Sequence, residues 1–261
     1  MTLLDFFLLN SNLISRLLQV AIILLVVFLA GLMIRYLIAS LKEKTYHPAQ
    51  WSNAIKEGKI GKALLEIEKT YDDKIRLYNF WFQCERLKKE NISGSFAELG
   101  VYKGETARII HLLDNSRKFH LFDTFDGFIK SDLQHETGEA ATYSSKNFAD
   151  TSEKEVVKFI EGNENIIVHK GHFPETTQGL EKEMFALVNI DADLCKPILE
   201  GLKFFYPHLS PGGVILVHDY NHKWEGALKA VDEFVSVIPE NLVEIPDMHG
   251  TVMLIRNKTP G

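Results

Sequence analysis

From residue 17 to residue 34 the chain carries no charged side chain, and the apolar character resumes after Arg35 through Tyr36, Leu37, Ile38 and Leu41. At about 1.5 Å per helical residue the uncharged run spans roughly 27 Å, close to the ~30 Å hydrocarbon core of a bilayer. A core helix of that length with almost no polar face is rare in a soluble protein. A cleaved leader would carry a basic start, a shorter apolar stretch and a small-residue cleavage site, whereas this chain begins MTLLDFF and follows the run with LIASLKEK. The expectation is an uncleaved, single-pass transmembrane helix over about residues 17–41, with Arg35 extending its guanidinium towards the headgroups. Arg35, Lys42 and Lys44 follow the run and Arg16 and Asp5 precede it, so the positive-inside rule puts the rest of the chain in the cytoplasm. The apolar segment 3–9 is too short to span and suits the interface.

Composition narrows the partners. With 29 Lys+Arg against 35 Asp+Glu the formal charge is -6, which leaves no basic stripe to neutralise phosphates, so no nucleic-acid partner is expected. Cys84 and Cys195 are the two cysteines, too few and too far apart for a disulfide framework or a cysteine zinc site.

Residues 45–94 are charged and helix-like, and Leu77, Phe80, Trp81, Cys84 and Leu87 recur at helical spacing as one apolar stripe. After Gly94 short apolar runs at 95–99, 118–123, 165–170, 185–191 and 213–219 alternate with amphipathic stretches at 106–115, 152–162, 196–208 and 224–238. That is the βαβ alternation of a doubly wound parallel sheet. Residues 242–246 and 251–257 read as a terminal β-hairpin, which brings the expected total to seven strands. The polar connection 130–151 is long enough to be a lid or a disordered loop. The organisation expected is an anchor over 1–44, a helical cap over 45–94 and a catalytic domain over 95–261.

In an open α/β sheet ligands sit outside the carboxyl ends of the strands. The first strand runs through Glu98 into a turn with Gly100 and Gly104, where glycine lets the backbone approach a ligand and opens a helix whose amino end favours an anion. The spacing departs from the G-x-G-x-x-G of nicotinamide folds, which makes an oxidoreductase a weak alternative. Asp123 ends the second strand, about twenty residues on, where a carboxylate can accept from both hydroxyls of a ribose. The fourth and fifth strands end in Asp191, Asp193, His218 and Asp219, an oxygen-rich set with one imidazole that suits a hard divalent cation. His120 reads as a sheet-face histidine, His172 and Phe173 as candidates to flank a base, and both cysteines as small hydrophobes.

With FAELGVYKGETA, LFDTFDGF, FADTSEKEV followed by HKGHFPET, and NIDADLCKPILEGLKFFYPHLSPGGVILVHDYN, the chain resembles class I S-adenosylmethionine-dependent methyltransferases, and within them the macrocin O-methyltransferase (TylF-like) family. The resemblance runs over about 72–256. It implies a Rossmann-like, seven-stranded methyltransferase fold with S-adenosylmethionine over Glu98, Gly100 and Gly104, its ribose on Asp123, and Mg2+ at the fourth and fifth strand ends. Asp191 would then be a metal ligand with His218 and Asp219, and Asp193 the general base. Where the family ends its fifth strand Asp-Asp-Tyr, this chain has His218-Asp219-Tyr220, and a neutral donor weakens Mg2+ or shifts the site towards Mn2+. The expected activity is O-methylation of a hydroxyl on a sugar or glycoconjugate, the acceptor being a small molecule or a lipid-linked glycan selected by the 130–151 loop and the helix near Phe80 and Trp81. The alternative is a membrane-tethered nucleoside-binding or assembly module without turnover, favoured if His218 abolishes metal binding. The sequence leaves a homo-oligomer open.

Overall fold

The computed structural model describes residues 3–44, 47–134 and 136–258. The junction expected at 44/45 and His135 of the long loop lie outside the described residues, and the side chains of segment 3–9, Lys42 and Lys44 outside the described side chains. The chain forms two compact units, residues 1–57 and residues 58–261. In the first, α1 (Leu3–Lys44) is one continuous helix of 42 residues, followed by α2 (Ala49–Lys56). Ser15–Ser40 is long and apolar enough to cross a membrane, and Leu17, Ile23, Phe28 and Met33 along it are all exposed.

The second unit opens with α3 (Lys62–Thr70) and α4 (Lys74–Lys89). Asp73 starts α4 as its N-cap, its side chain accepting from the Arg76 amide at 3.0 Å. The aromatic stripe lies inward: Leu77, Phe80, Trp81, Cys84 and Leu87 are all buried. Phe80 and Trp81 therefore pack and do not line the cavity described below, whereas Arg76 of the same helix does.

The sheet comprises β1 (Ser95–Leu99), β2 (Phe119–Asp123), β3 (Ile166–Lys170), β4 (Phe185–Ile190), β5 (Leu209–Val217), β6 (Val243–Ile245) and β7 (Thr251–Ile255), in the order β3-β2-β1-β4-β5-β7-β6. The first five are parallel, and β7 runs antiparallel between β5 and β6. The helices α5 (Glu105–Leu113), α6 (Glu153–Ile160), α7 (Cys195–Phe205) and α8 (Glu225–Val235) alternate with the strands. Expected boundaries shift at α1, which runs Leu3–Lys44 rather than about 17–41, and at β5, which begins at Leu209 while α7 stops at Phe205. Phe185 pairs with Leu209 but Leu187 pairs with Val214, so residues 210–213 bulge out of register, with Gly212 at φ 82° taking the left-handed turn.

The long loop contains a 3-10 turn at Gly138–Thr142, and Glu136 accepts from the Cys195 amide at 2.8 Å, which caps α7. At its far end Asp150 accepts from the Tyr102 hydroxyl at 2.8 Å and from Lys103 at 2.7 Å.

His120 on β2 is a buried sheet-face histidine, its Nδ1 2.9 Å from His169 Nε2 and its ring edge-on to Phe185. Burial, and then the neighbouring His169, lower its pKa from 6.5 to about 4. Between those values the unfolded chain binds a proton that the folded chain refuses, so stability is lost as pH falls through that window, at up to about 1.4 kcal/mol per pH unit. Urea unfolding of His120→Phe is expected to show a difference between pH 7 and pH 5 smaller than that of the unaltered protein by roughly 2 kcal/mol.

Candidate functional site

Parallel register determines which strand ends meet. Leu99 pairs with Ile190 and Ile190 with Val217, so the next residues, Gly100, Asp191 and His218, stand side by side at the carboxyl edge. A Cβ on Gly100, at φ 86°, would fall 2.0 Å from the Asp191 carbonyl oxygen. Glycine is thus required there by the approach of β4 as much as by any ligand. Gly104, at φ 83°, is the N-cap of α5 and faces Val156 and Ile160.

Beyond this edge opens a cavity of about 510 Å³ lined among others by Gly100, Asp123, His172, Asp191, Asp193, His218 and Asp219. Of the residues expected at the site, Glu98 and Gly104 do not line it. Glu98 lies beneath, fully buried, its Oε1 accepting from Thr106 and from Asn189 while its Oε2 has no partner among the described residues. Burial pushes this carboxyl up to about 8. Asp123 is already engaged: Oδ2 accepts from the amides of Val101 and Tyr102, each at 2.8 Å, and Oδ1 from the amide of Phe125 at 2.7 Å. It ties the glycine turn to β2; Oδ2 already accepts two bonds, and Oδ1 keeps a second lone pair for a ligand hydroxyl.

On the same edge Asp191 lies between two cationic groups. Its Oδ2 accepts from Arg76 at 2.8 Å and its Oδ1 is 3.0 Å from His218 Nδ1. Burial by itself would raise the Asp191 pKa, but Arg76 and His218 outweigh it and hold the carboxyl far below its ordinary range. His218, also 3.3 Å from Asp219 Oδ1, is pushed up to about 10: burial opposes its charge and Asp191 prevails. Asp193 goes the other way, its pKa raised well above the usual carboxylate value by burial and by the charges of Asp191 and Asp219. Asp193 and Asp219 sit at φ 57° and 62°, a conformation non-glycine residues rarely adopt and one concentrated at functional sites.

Asp191, His218 and Asp219 offer one ligand atom each, all within 4.8 Å of one another. The 3.0 and 3.3 Å separations from His218 Nδ1 match the roughly 3 Å between adjacent ligands of a six-coordinate ion with bonds near 2.1 Å. The donor set fits a divalent cation, which would replace the proton that Nδ1 directs at the two carboxylates.

Several lining residues escaped the sequence reading. Arg76 had a signal: with Phe80, Gln83 and Leu87 it falls on the buried stripe of α4, and a charge on such a stripe needs a partner. Asp132 had none. It is a buried carboxylate of the long loop, 2.6 Å from both His172 Nε2 and Lys196 Nζ. Burial opposes its charge, but those two partners hold its pKa below the ordinary value. Tyr143, Trp224 and His249 also line the cavity.

The profile described as Macrocin-O-methyltransferase (TylF) matches residues 34–253, starting well before the motifs at 72–256. A Streptomyces olivaceus 8-demethyl-8-(2,3-dimethoxy-alpha-L-rhamnosyl)-tetracenomycin-C 4'-O-methyltransferase is 22% identical over 156 residues, covering 56% of this chain; the chain spans 60% of that relative's length. Among solved structures, the O-methyltransferase NovP has a TM-score of 0.61 at 24% identity, covering 71% of this chain and 81% of its own. The calicheamicin methyltransferase CalS11 has a TM-score of 0.57 at 19% identity, covering 82% and 89%. At such identities the structural likeness concerns the fold; the profile, which takes in most of the sequence, shows that the chain belongs to the macrocin-O-methyltransferase (TylF) family.

Proposed function

We propose that this protein is an S-adenosylmethionine-dependent O-methyltransferase acting on a hydroxyl of a sugar or glycoconjugate. The observation that carries the reading is the single cavity joining the Gly100–Asp123 turn to the Asp191, Asp193, His218 and Asp219 cluster. The part around Asp123 suits a nucleoside, and the carboxylates with His218 suit the movement of a proton. Family membership and the rhamnose-modified substrate named for the curated relative support the acceptor class.

S-adenosylmethionine, when bound, supplies an electrophilic methyl group. The chain's part is to hold the acceptor oxygen in line with that methyl and to take its proton. Asp123 would orient the ribose through the free lone pair of Oδ1, and His172, fixed by Asp132, would border the base. Asp193 projects from the turn after β4 into the cavity and would receive the hydroxyl proton. Asp191, His218 and Asp219 would hold a divalent cation, Mg2+ or Mn2+, which as a Lewis acid lowers the pKa of a coordinated hydroxyl. Arg76 keeps Asp191 ionised and oriented.

Titration calorimetry tests the cofactor end. Losing a carboxylate that accepts from a ribose hydroxyl removes a charge-assisted bond worth about 1.5–3 kcal/mol, so Asp123→Ala is expected to weaken S-adenosylmethionine binding roughly tenfold to a hundredfold. Unchanged affinity would remove Asp123 from the site, and binding of NAD in preference would overturn the reading.

The protein is further proposed to be membrane-anchored through Ser15–Ser40 with the catalytic unit in the cytoplasm; the apolar, exposed face of that helix supports this. Full-length protein is then expected to stay in the membrane pellet after alkaline carbonate extraction, and its release would refute the anchor.

A further inference from the structure

Three rings from three separate segments meet beside the carboxylates. Trp224 is the N-cap of α8, Tyr143 belongs to the long loop, and His249 lies in the turn between β6 and β7. All three line the cavity. The indole N–H donates to the Tyr143 hydroxyl at 3.3 Å, and the His249 ring stands at 84° to the indole with centroids 5.9 Å apart. Tyr143 is stacked on Phe128 at 5.4 Å, and His249 is 5.6 Å from the His218 ring. The indole plane is thereby held from two sides. Tyr143, having accepted the indole proton, keeps its own O–H to donate.

Such a corner has a specific chemistry. An indole face is the largest flat apolar surface a side chain offers, and its negative π face attracts C–H groups that carry partial positive charge. A pyranose has such a face on one side of its ring and hydroxyls around its edge. Here the edge groups are those that recognise hydroxyls: the Asp193 and Asp219 carboxylates and the Tyr143 O–H. A planar phenol would use the platform but leave most of that polar edge without partners, which costs affinity.

We propose that Trp224, Tyr143 and His249 form the acceptor subsite, with Trp224 the platform for the C–H face of a pyranose whose reacting hydroxyl is turned towards Asp193. The inference rests on the methyltransferase reading above and deepens it by assigning the substrate's binding face.

Intrinsic fluorescence tests it on the full-length protein. Of the three tryptophans, Trp51 and Trp81 are 0% and 6% exposed, while Trp224 faces the cavity. With the protein saturated by S-adenosylhomocysteine and Mg2+, methyl α-L-rhamnopyranoside or methyl α-D-glucopyranoside is expected to give a saturable fluorescence change that Trp224→Leu abolishes. In calorimetry Trp224→Leu should bind the glycoside roughly tenfold more weakly or worse, Trp224→Phe should recover part of that loss, and S-adenosylhomocysteine affinity should not move in either. Normal S-adenosylhomocysteine binding with glycoside affinity unchanged in Trp224→Leu would overturn the subsite alone. A response to catechol but to neither glycoside would overturn the sugar assignment. Failure of the unaltered protein to bind S-adenosylhomocysteine would overturn the methyltransferase reading, and this inference with it.

Discussion

Arg76→Met is expected to destabilise the fold by about 2–4 kcal/mol in urea unfolding at pH 7, the largest stability loss of any single change considered for this protein. The Arg76 side chain is 7% exposed and that of Asp191 21%. Removing the guanidinium leaves a carboxylate facing a cavity rather than bulk water, with only His218 to balance it. Full burial of the pair would put the loss at about 3–5 kcal/mol, and the partial exposure of Asp191 brings it down. Asp191→Asn should also destabilise, since it strands a guanidinium whose Nε already lacks a partner among the described residues. The double substitution is expected to cost less than the sum of the two, with a coupling above about 1 kcal/mol in the cycle. Additive losses would mean that the ion pair contributes nothing beyond its separate members. Arg76→Lys retains charge but not the planar fork, and should fall between.

Asp193→Asn is expected to lower kcat by about 10²- to 10⁴-fold while leaving S-adenosylmethionine affinity and the unfolding midpoint close to those of the unaltered protein. An aliphatic hydroxyl is too weakly acidic to ionise near neutral pH, so a positioned proton acceptor contributes directly to the barrier. The amide keeps the size of the side chain but cannot take the proton. Burial, and then the charges of Asp191 and Asp219, increase the hold of Asp193 on a proton. Chelation completes the experiment: EDTA is expected to stop turnover with S-adenosylmethionine binding intact, and Mg2+ or Mn2+ to restore it, a response that Asp191→Ala should lose. Full activity in EDTA would remove the cation from the reaction, and an unchanged kcat in Asp193→Asn would leave the base unassigned.

The parts of the site legible in the sequence share one property: each is determined by a strand and the residues just past its end. Asp123, Asp191, His218 and Asp219 follow apolar runs short enough to be parallel strands, and parallel register then places Asp191 next to His218 without further information. Gly100 was legible as a turn residue, although only the structure shows that the Asp191 carbonyl occupies the space a Cβ would need. The long apolar helix was legible for a similar reason, since its length and composition are local properties.

What the sequence alone determined, then, was the α/β order, the glycine turn, the acidic strand ends and the anchor-like helix, because each follows from a repeat or a run within about twenty residues. Only the tertiary structure decided how those ends are charged and walled. Arg76 reaches Asp191 across 115 positions of chain, Lys196 meets Asp132 across 64, and Trp224 meets Tyr143 across 81. Contacts of that separation depend on how a helix or loop packs against the sheet, which is a property of the whole folded core. No periodicity or spacing records it. The same packing turned Phe80 and Trp81 into the core and left Tyr143, Trp224 and His249 to face the cavity.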